Sequence, residues 1–305
     1  MNKLLIICGP TASGKTALAL DFAKKFSAKG GPASGWNGEL ISADSRQVYL
    51  GMNIVTGKET DKKVKTWLLD VVNPDYNFNI SDYYNLAWEA VFDIWKRRKL
   101  PIVVGGTGFY IKAMIDEIGT MGVLPNIELR QELSVLSVEL LGQKLAKLDP
   151  ERWEKMNGSD RKNPRRLIRA IEIHLGGVQP ATPEVVLRLR RTSGVNLLWI
   201  GLTTEKKILY EKINRRVEER LKMGAVEETR KLARRYGWNV PSMTGIGYRQ
   251  LRQYIEGKIS LDEAVERWKL AEHAYAQKQM TWFRKEKRIV WLNVEEKVKQ
   301  WYTVS

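Results

Sequence analysis

The chain has 305 residues, 43% of them hydrophobic, so it can bury a sizeable core in one large domain or two ordinary ones. Its apolar runs fall short of the roughly 20 residues that a membrane span needs, and its single cysteine, Cys8, excludes an internal disulfide and a multi-cysteine metal site, so we expect a cytoplasmic protein without a membrane anchor. The formal charge of +16 is typical of proteins that bind polyanions, although many basic chains bind no nucleic acid.

Short apolar runs alternate with helical patterns along most of the chain. The run at residues 3–8 ends at Gly9 and is followed by a helical pattern at 17–26, which predicts a strand, a loop and a helix. Further runs are bounded by turn residues, as buried parallel strands are, and occur at 40–42, 67–72, 102–104 and 196–202. This alternation predicts an α/β fold with a parallel sheet flanked by helices, in which ligands bind beyond the carboxyl ends of the strands.

The pattern changes between residues 121 and 191, where helical stretches rich in Leu, Glu and Arg occur without a convincing strand. We interpret residues 119–192 as a helical insertion into an α/β core that comprises residues 1–118 and 193–305. After residue 204 the chain is predicted to be helical and charged, with breaks around 237–247 and at Gly257. The glycine-rich stretch at 30–38 is typical of a surface loop.

A phosphate-binding pattern follows the first predicted strand. Backbone N–H groups of such a loop surround phosphates, its lysine neutralises them and its final hydroxyl reaches a magnesium ion. The pattern comprises Gly9, Pro10, Thr11, Ala12, Ser13, Gly14, Lys15 and Thr16. The strand before it and the helix after it support a site for a diphosphate or a triphosphate, with Thr16 as the metal ligand, but the pattern does not say which molecule carries the phosphates.

Two further segments follow predicted strands and should lie at the same edge of the sheet. Asp44 and Ser45 come after the strand at 40–42, where a carboxylate can act as a general base, hold a metal or simply cap a helix. Gly105, Gly106 and Thr107 follow the strand at 102–104, where a glycine turn either lets the backbone approach a ligand or only reverses the chain. Taken singly, neither segment decides between a functional and a structural role.

In combination, these segments resemble the tRNA dimethylallyltransferase (isopentenyl-tRNA transferase) family, in the bacterial form that lacks a zinc finger. The family patterns G-P-T-A-S-G-K-T, I-S-A-D-S-x-Q-V-Y and V-G-G-T-G-x-Y match residues 9–16, 41–49 and 104–110 in that order. The similarity continues at 160–173, 243–249 and 275–284, so it covers nearly the whole chain. The resemblance implies a P-loop NTPase-like parallel sheet with an inserted helical lobe that grips tRNA.

The resemblance also implies an activity, namely transfer of a dimethylallyl group from dimethylallyl diphosphate to the exocyclic amine of the adenine 3′ of the anticodon in tRNA. Asp44 would take a proton from the amine, Thr107 would orient the amine, and Arg216 would assist the loop and Mg²⁺ at the departing diphosphate. The positions that match tRNA-binding residues are Asp44, Ser45, Arg46, Gln47, Thr107, Arg130, Arg165, Arg166, Arg169, Thr244, Gly245, Ile246, Gly247, Tyr248 and Arg249. The expected partners are the tRNA anticodon loop and the diphosphate donor, and we expect a monomer.

The arginines of the insertion have two interpretations. Arg165 and Arg169 are four residues apart and should project from one face of a helix, where they could contact phosphates or form a solvated surface. We expect exposed arginines of this kind to contribute little to stability. The chain departs from the family pattern at Val55, Gly57, Trp67, Glu272 and His273, and we expect these departures to affect local tRNA contacts rather than the reaction.

Three alternative functions stay open. A P-loop small-molecule kinase would use the same loop for ATP, although no predicted strand ends in a clear second acidic metal ligand. An adenine-nucleotide prenyltransferase would share the first three motifs without needing the tRNA-binding segments. An RNA-binding nucleotide switch would bind ATP or GTP and transfer no prenyl group.

Overall fold

The computed structural model describes residues 2–25, 38–116, 123, 125–176 and 194–293. The chain divides into two compact units, of which the larger comprises Met1–Ile115 and Gly194–Ser305 and the smaller comprises Asp116–Ser193. The predicted boundaries at 118/119 and 192/193 lie within a few residues of this division. The predicted surface loop at 30–38 lies outside the described residues, apart from Gly38.

The larger unit contains a six-stranded sheet in which all neighbouring strands are parallel. Its strands are β1 (Asn2–Cys8), β2 (Gly38–Ser42), β3 (Thr66–Trp67), β4 (Leu100–Gly105), β5 (Val195–Thr203) and β6 (Val290–Asn293). Their order across the sheet is β3-β2-β4-β1-β5-β6. The described helices of this unit are α1 (Lys15–Lys25), α2 (Ile80–Lys96), α3 (Gly108–Ile115), α9 (Lys206–Lys222), α10 (Ala225–Tyr236), α11 (Tyr248–Ile255) and α12 (Leu261–Phe283).

The core of the larger unit lies on the sheet. Every residue of β2 and β4 is buried, as is β1 from Leu4 onward, which is expected for parallel strands covered on both faces. Ala19 and Ala23 of α1 pack against a cluster of branched side chains from β1, β2, β4 and β5. Helix α2 begins with a capping box in which Asn79 and Asp82 satisfy each other's backbone N–H groups. The predicted parallel sheet flanked by helices is confirmed.

The strand order creates a crevice at the carboxyl edge of the sheet. From β1 the chain crosses to β2 and later returns to β4, which lies between β1 and β2, whereas β5 pairs with the other side of β1. At such a switch point the connections leave on opposite sides of the sheet, and ligands bind in the space between them. The loops after β1, β2 and β4 therefore meet at one place, and these loops carry the three sequence motifs.

Two strand predictions differ from the structure. The predicted strand at 67–72 is reduced to Thr66–Trp67, because Leu68 and Asp70 have φ values of 64° and 53° and leave the extended conformation. The edge strand β6 was not predicted, since its four residues follow a long charged helix and give too short an alternation to recognise.

The smaller unit is helical in its described part. Its helices are α4 (Ile127–Ser134), α5 (Val138–Leu148), α6 (Pro150–Lys155), α7 (Gly158–Arg161) and α8 (Pro164–Gly176). Leu133, Leu141, Leu145, Leu167 and Ile171 are fully buried and form its core. Asn126, Ser137 and Asp149 cap successive helices through their side chains, which explains why this polar sequence breaks into short helices. In the described ranges of the whole chain, no helix is long and apolar enough to cross a membrane.

Candidate active site

A pocket of about 590 Å³ occupies the crevice at the carboxyl edge of the sheet. All three sequence motifs contribute to its wall, together with α9, α12 and the segment before α11. Its lining residues include Thr11, Lys15, Thr16, Asp44, Ser45, Arg46, Gln47, Gly105, Gly106, Arg216, Thr244, Gly245, Ile246, Tyr248, Arg249, Tyr275 and Gln279. The structure thus brings most of the predicted site residues of the larger unit to one cavity.

The phosphate-binding loop between β1 and α1 needs its glycines. Gly9 has a φ of 142°, and a Cβ at that position would lie 2.7 Å from the carbonyl oxygen of Leu202 in β5. Ala12 and Gly14 also have positive φ values, of 60° and 84°. This unusual backbone turns the chain sharply into α1, whose first residue is Lys15. Consecutive N–H groups at a helix N-terminus are suited to an anion, and that the loop binds a diphosphate stays a prediction.

Lys15 and Arg216 give this loop a concentrated positive charge. The amine of Lys15 donates a hydrogen bond to the carbonyl of Pro10 at 2.5 Å, and Arg216 Nη1 donates to the hydroxyl of Thr11 at 3.4 Å. Burial and the charge of Arg216 lower the pKa of Lys15 to about 8, although Asp44 opposes this effect. The lowered pKa means that burial and Arg216 disfavour the charged form of Lys15, so an anion bound beside it would stabilise that charge.

Asp44 and Thr107 lie on two loops that are hydrogen-bonded to each other. Thr107 Oγ1 accepts from the N–H of Ser45 at 3.2 Å, and the N–H of Thr107 donates to the carbonyl of Ala43 at 3.1 Å. One carboxylate oxygen of Asp44 accepts from the N–H of Arg46 at 2.8 Å, which fixes the side chain in a tight turn. A Cβ at Gly105 would collide with the carbonyl of Ala43, so glycine is needed for this approach. The two motifs therefore form one wall of the pocket.

Two residues of α12 complete the pocket and had no assigned role in the sequence. Gln279 accepts from the N–H of Thr11 at 2.8 Å through Oε1 and donates to the carbonyl of Gly106 at 2.9 Å through Nε2. It thereby joins the phosphate-binding loop to the glycine turn. Tyr275 hydrogen-bonds Thr107, and burial together with the charge of Asp44 raises the pKa of its hydroxyl to about 12, so it stays protonated. Both belong to the segment at 275–284, and the resemblance of this segment to the family was the one feature of the sequence that could have indicated their role.

Glu228 of α10 holds another wall of the pocket, a role that no sequence motif indicated. Its carboxylate accepts hydrogen bonds from the successive N–H groups of Asn53, Ile54 and Val55 at 2.8, 2.7 and 3.1 Å. It also accepts from the hydroxyl of Tyr248 at 2.8 Å. Three backbone donors converging on one carboxylate form a strong charge-assisted anchor. This anchor fixes the segment that leads to Gly57 at the pocket.

The segment at 244–249 is tied to the Asp44 loop. Arg46 donates to the carbonyl of Pro241 at 3.0 Å and contacts the hydroxyl of Thr244 at 3.5 Å. Gly247 has a φ of 88° and leaves no room for a side chain between Val55 and Trp268. Tyr248 is fully buried, so its ring is not placed to stack on a base and its part in the segment is to bond Glu228. Arg249 and Thr244 are the exposed members of the segment.

Gln47 and the residues at the family departures make internal contacts. Gln47 forms hydrogen bonds with Ser42 and with the carbonyl of Gly57, both at 3.2 Å.

The residues that depart from the family pattern also make internal contacts. Trp67 donates a hydrogen bond to the buried carboxylate of Glu39 at 2.8 Å. His273 is hydrogen-bonded to Asn214 at 2.8 Å, and its ring stacks on Tyr210. Val55 is buried, and Glu272 accepts from Arg220 at 3.3 Å. The departures at Val55, Trp67, Glu272 and His273 are thus accommodated by packing within the larger unit.

In the smaller unit, two of the predicted tRNA-binding arginines form salt bridges with one buried carboxylate. Glu172 is 1% exposed and accepts from Arg130 at 2.8 Å and from Arg169 at 2.5 Å. Arg169 also donates to the carbonyl of Val123 at 3.0 Å. Arg166 pairs with Asp160. Arg169 is therefore not the solvated arginine that the sequence suggested, because it is one of two arginine partners of a buried charge.

Arg165 differs from these neighbours. It is exposed and lines an open depression at the start of α8 together with Lys162 and Asn163. Among the described residues it has no ion-pair partner, so its guanidinium is available to a ligand. The pattern of spacing placed Arg165 and Arg169 on one helix face but could not show that only the first is free of an acidic neighbour.

The chain is similar to known proteins in both sequence and structure. The family model for IPP transferase matches residues 47–286. The tRNA dimethylallyltransferase of Acetivibrio thermocellus is 38% identical over 304 residues, which is 97% of this chain and 93% of that protein. The solved structure of tRNA isopentenylpyrophosphate transferase from Bacillus halodurans has a TM-score of 0.69 and 33% identity, and the match covers 99% of this chain and 95% of that one.

The solved structure of a eukaryotic dimethylallyltransferase acting on tRNA has a TM-score of 0.78 and 23% identity. The match covers 96% of this chain and 74% of that chain, and at this identity it shows the fold alone. These neighbours confirm the predicted P-loop NTPase-like sheet. The family that the motifs indicated is also confirmed, by relatives that match nearly the full length of both chains. The chain therefore belongs to the IPP transferase family and is a prenyltransferase.

Proposed function

We propose that this IPP transferase moves a dimethylallyl group from dimethylallyl diphosphate to the exocyclic amine of the adenine 3′ of the anticodon in tRNA. The observation that carries the proposal is a single pocket lined by the phosphate-binding loop on one side and by the joined Asp44 and Thr107 loops on another. The first wall suits a diphosphate, and the second offers the carboxylate of Asp44 to a nucleophile, with the partly buried hydroxyl of Thr107 bonded to the N–H of Ser45 next to it. The names of the relatives support the same reaction.

At the donor end, the loop at 9–16 binds the diphosphate through its N–H groups, and Lys15 and Arg216 stabilise the negative charge that grows on it as the carbon–oxygen bond breaks. Thr16 lines the pocket, and its hydroxyl would hold Mg²⁺ beside the phosphate oxygens. Mg²⁺ keeps several waters and takes few protein ligands beside phosphate oxygens. Bound Mg²⁺ would neutralise charge on the leaving group.

At the acceptor end, the adenine amine is a weak nucleophile because its lone pair is delocalised into the ring. Asp44 accepts a proton from the amine as the new carbon–nitrogen bond forms, and Thr107 orients the amine. An adenine stacked in a loop cannot reach an enclosed diphosphate, so the base must leave its stack to enter the pocket.

Residues at or next to the pocket in the larger unit and arginines of the smaller unit provide the contacts to RNA in this proposal; the exposed ones among them are Thr244, Arg249, Arg165 and Arg166. In the larger unit these are Asp44, Ser45, Arg46, Gln47, Thr107 and the segment at 244–249, and in the smaller unit they are Arg130, Arg165, Arg166 and Arg169. The net charge of +16 supports a polyanionic substrate. A monomeric state and a cytoplasmic location stay predictions.

The experiment that tests the proposed function is one incubation. Purified protein is mixed with unmodified tRNA, dimethylallyl diphosphate and Mg²⁺, and the nucleosides are then measured by mass spectrometry. We expect one prenylated adenosine per tRNA, located next to the anticodon. Prenylation of free adenine nucleotides with none of tRNA would favour the nucleotide prenyltransferase, and micromolar ATP binding with no prenyl transfer would favour a kinase or a switch.

Arg165 and Arg169 should behave differently when each is replaced by Ala. Arg165→Ala should weaken tRNA binding and lower the magnitude of the log-affinity against log-salt slope by about one, because one phosphate contact releases about one counterion. Arg169→Ala should lower the free energy of unfolding by about 1 to 3 kcal/mol, because it deprives Glu172 of a hydrogen-bonded partner. Salt titrations and denaturant unfolding measure the two effects.

Arg165→Lys is the matched control, since it keeps the charge and should keep the slope. Donor affinity should stay unchanged in all three variants. A slope for Arg165→Ala parallel to that of the parent would return Arg165 to an ordinary solvated surface.

A further inference from the structure

A second arginine faces the pocket beside Arg216. Arg220 lies four residues further along α9, on the same helix face, and its side chain is 9% exposed compared with 29% for Arg216. Both residues line the pocket that contains the phosphate-binding loop. A buried guanidinium is costly unless hydrogen bonds and an opposite charge compensate for its lost hydration.

The compensation that the protein itself gives Arg220 is incomplete. Among the described residues its hydrogen-bond partner is Glu272, at 3.3 Å, and this carboxylate oxygen also accepts from Trp268 at 3.4 Å. A guanidinium has five N–H donors, so most of those on Arg220 have no partner in the described part of the protein. Burial and the nearby Arg216 hold the pKa of Arg220 below its usual range, against the opposing charges of Glu272, Asp44 and Glu59.

The two guanidinium groups converge next to Gly57. A Cβ at this position would collide with the terminal atoms of Arg220 and would lie 2.9 Å from Arg216 Nη2. Any side chain at position 57 would therefore overlap the guanidinium of Arg220 in its present position. Two positive groups brought so close repel each other unless an anion lies between them. Arg216 contacts Thr11 of the phosphate-binding loop, so the anion would lie beside that loop.

We propose that Arg220 binds the diphosphate of the prenyl donor together with Arg216, and that Gly57 is the residue that admits it. This inference rests on the proposed function, since the diphosphate is the leaving group of that reaction. Arg220 would contact the same leaving group from the side of α9 and hold it after the prenyl carbon has left. Glu272 keeps Arg220 directed at the pocket.

Inorganic pyrophosphate is the probe, because it represents the leaving group without the prenyl chain or RNA. Its affinity is measured by titration calorimetry with the full chain and Mg²⁺, and each variant is checked by thermal unfolding. We expect Arg220→Met to weaken binding by about 10-fold or more, as the loss of charged hydrogen bonds does. Arg215→Met is the matched control, since the neighbouring Arg215 is exposed and should leave pyrophosphate affinity unchanged.

A double-mutant cycle connects Gly57 to Arg220. Gly57→Ala should weaken pyrophosphate binding because it displaces Arg220, and it should cause little further loss when Arg220→Met is already present. Arg220→Met with Glu272→Thr removes both members of the buried ion pair, so it distinguishes a lost contact from the cost of an unpaired carboxylate. This double variant should fold cooperatively and still bind pyrophosphate weakly.

Each result decides the inference. Parent-like pyrophosphate affinity in Arg220→Met, or its recovery in the double variant with Glu272→Thr, overturns the role of Arg220 and leaves the proposed function intact. Failure of the parent protein to bind pyrophosphate overturns both. Loss of cooperative unfolding in both Arg220 variants assigns Arg220 to the core and overturns the inference as well.

Discussion

Replacement of Asp44 by Asn is expected to slow prenyl transfer by about 100-fold or more, the usual effect of losing a general base. The reason is that Asn cannot accept the proton that leaves the adenine amine. Asn can still accept the N–H of Arg46 through its side-chain oxygen, so the turn after β2 should survive. Single-turnover rates with saturating tRNA and donor measure the effect on the chemical step.

Asp75→Asn provides a matched control for this variant, because Asp75 is exposed and does not line the pocket. Binding of tRNA and of dimethylallyl diphosphate to Asp44→Asn should stay within a few-fold of the parent values. Near-parental turnover of Asp44→Asn would remove this carboxylate from the mechanism. A large loss of donor binding would instead place Asp44 at the diphosphate.

Lys15→Ala should lower kcat/KM for the donor on the order of 100-fold, because the contact to the leaving group is lost in both the ground state and the transition state. The KM for dimethylallyl diphosphate should rise, and the KM for tRNA should change little. Lys24→Ala is the control, since Lys24 lies on the same helix but pairs with Asp61. If tRNA affinity alone changed, the loop would not be the diphosphate site.

The pKa of Lys15 adds a pH dependence to the same prediction. Because burial and Arg216 hold this pKa at about 8 in the free enzyme, Lys15 is charged below pH 8 and loses its charge above it. Donor affinity should therefore fall as the pH rises through about 8, and the fall should be absent in Lys15→Ala. A bound diphosphate raises the pKa of Lys15 again, so the decline should appear in kcat/KM more than in kcat.

The arginines show where prediction from sequence was incomplete. The spacing of Arg165 and Arg169 placed both on one helix face, yet the buried carboxylate of Glu172 holds Arg169 and Arg130 and leaves Arg165 exposed. Gln279 and Glu228 show the same limit. Gln279 forms hydrogen bonds with Thr11 and Gly106, which lie 268 and 173 positions before it in the chain. No local sequence pattern indicates so distant a partner.

The sequence by itself determined the parallel α/β core, the phosphate-binding loop and the family. These depend on local properties, because apolar runs form strands wherever they occur and a glycine loop before a helix forms an anion site through its own backbone. Only the tertiary structure decided that β4 lies between β1 and β2, so that Asp44 and Thr107 meet. Only it showed that Arg216 and Arg220 converge on Gly57, because α9 and the loop at 53–58 are remote in sequence and their distance depends on packing alone.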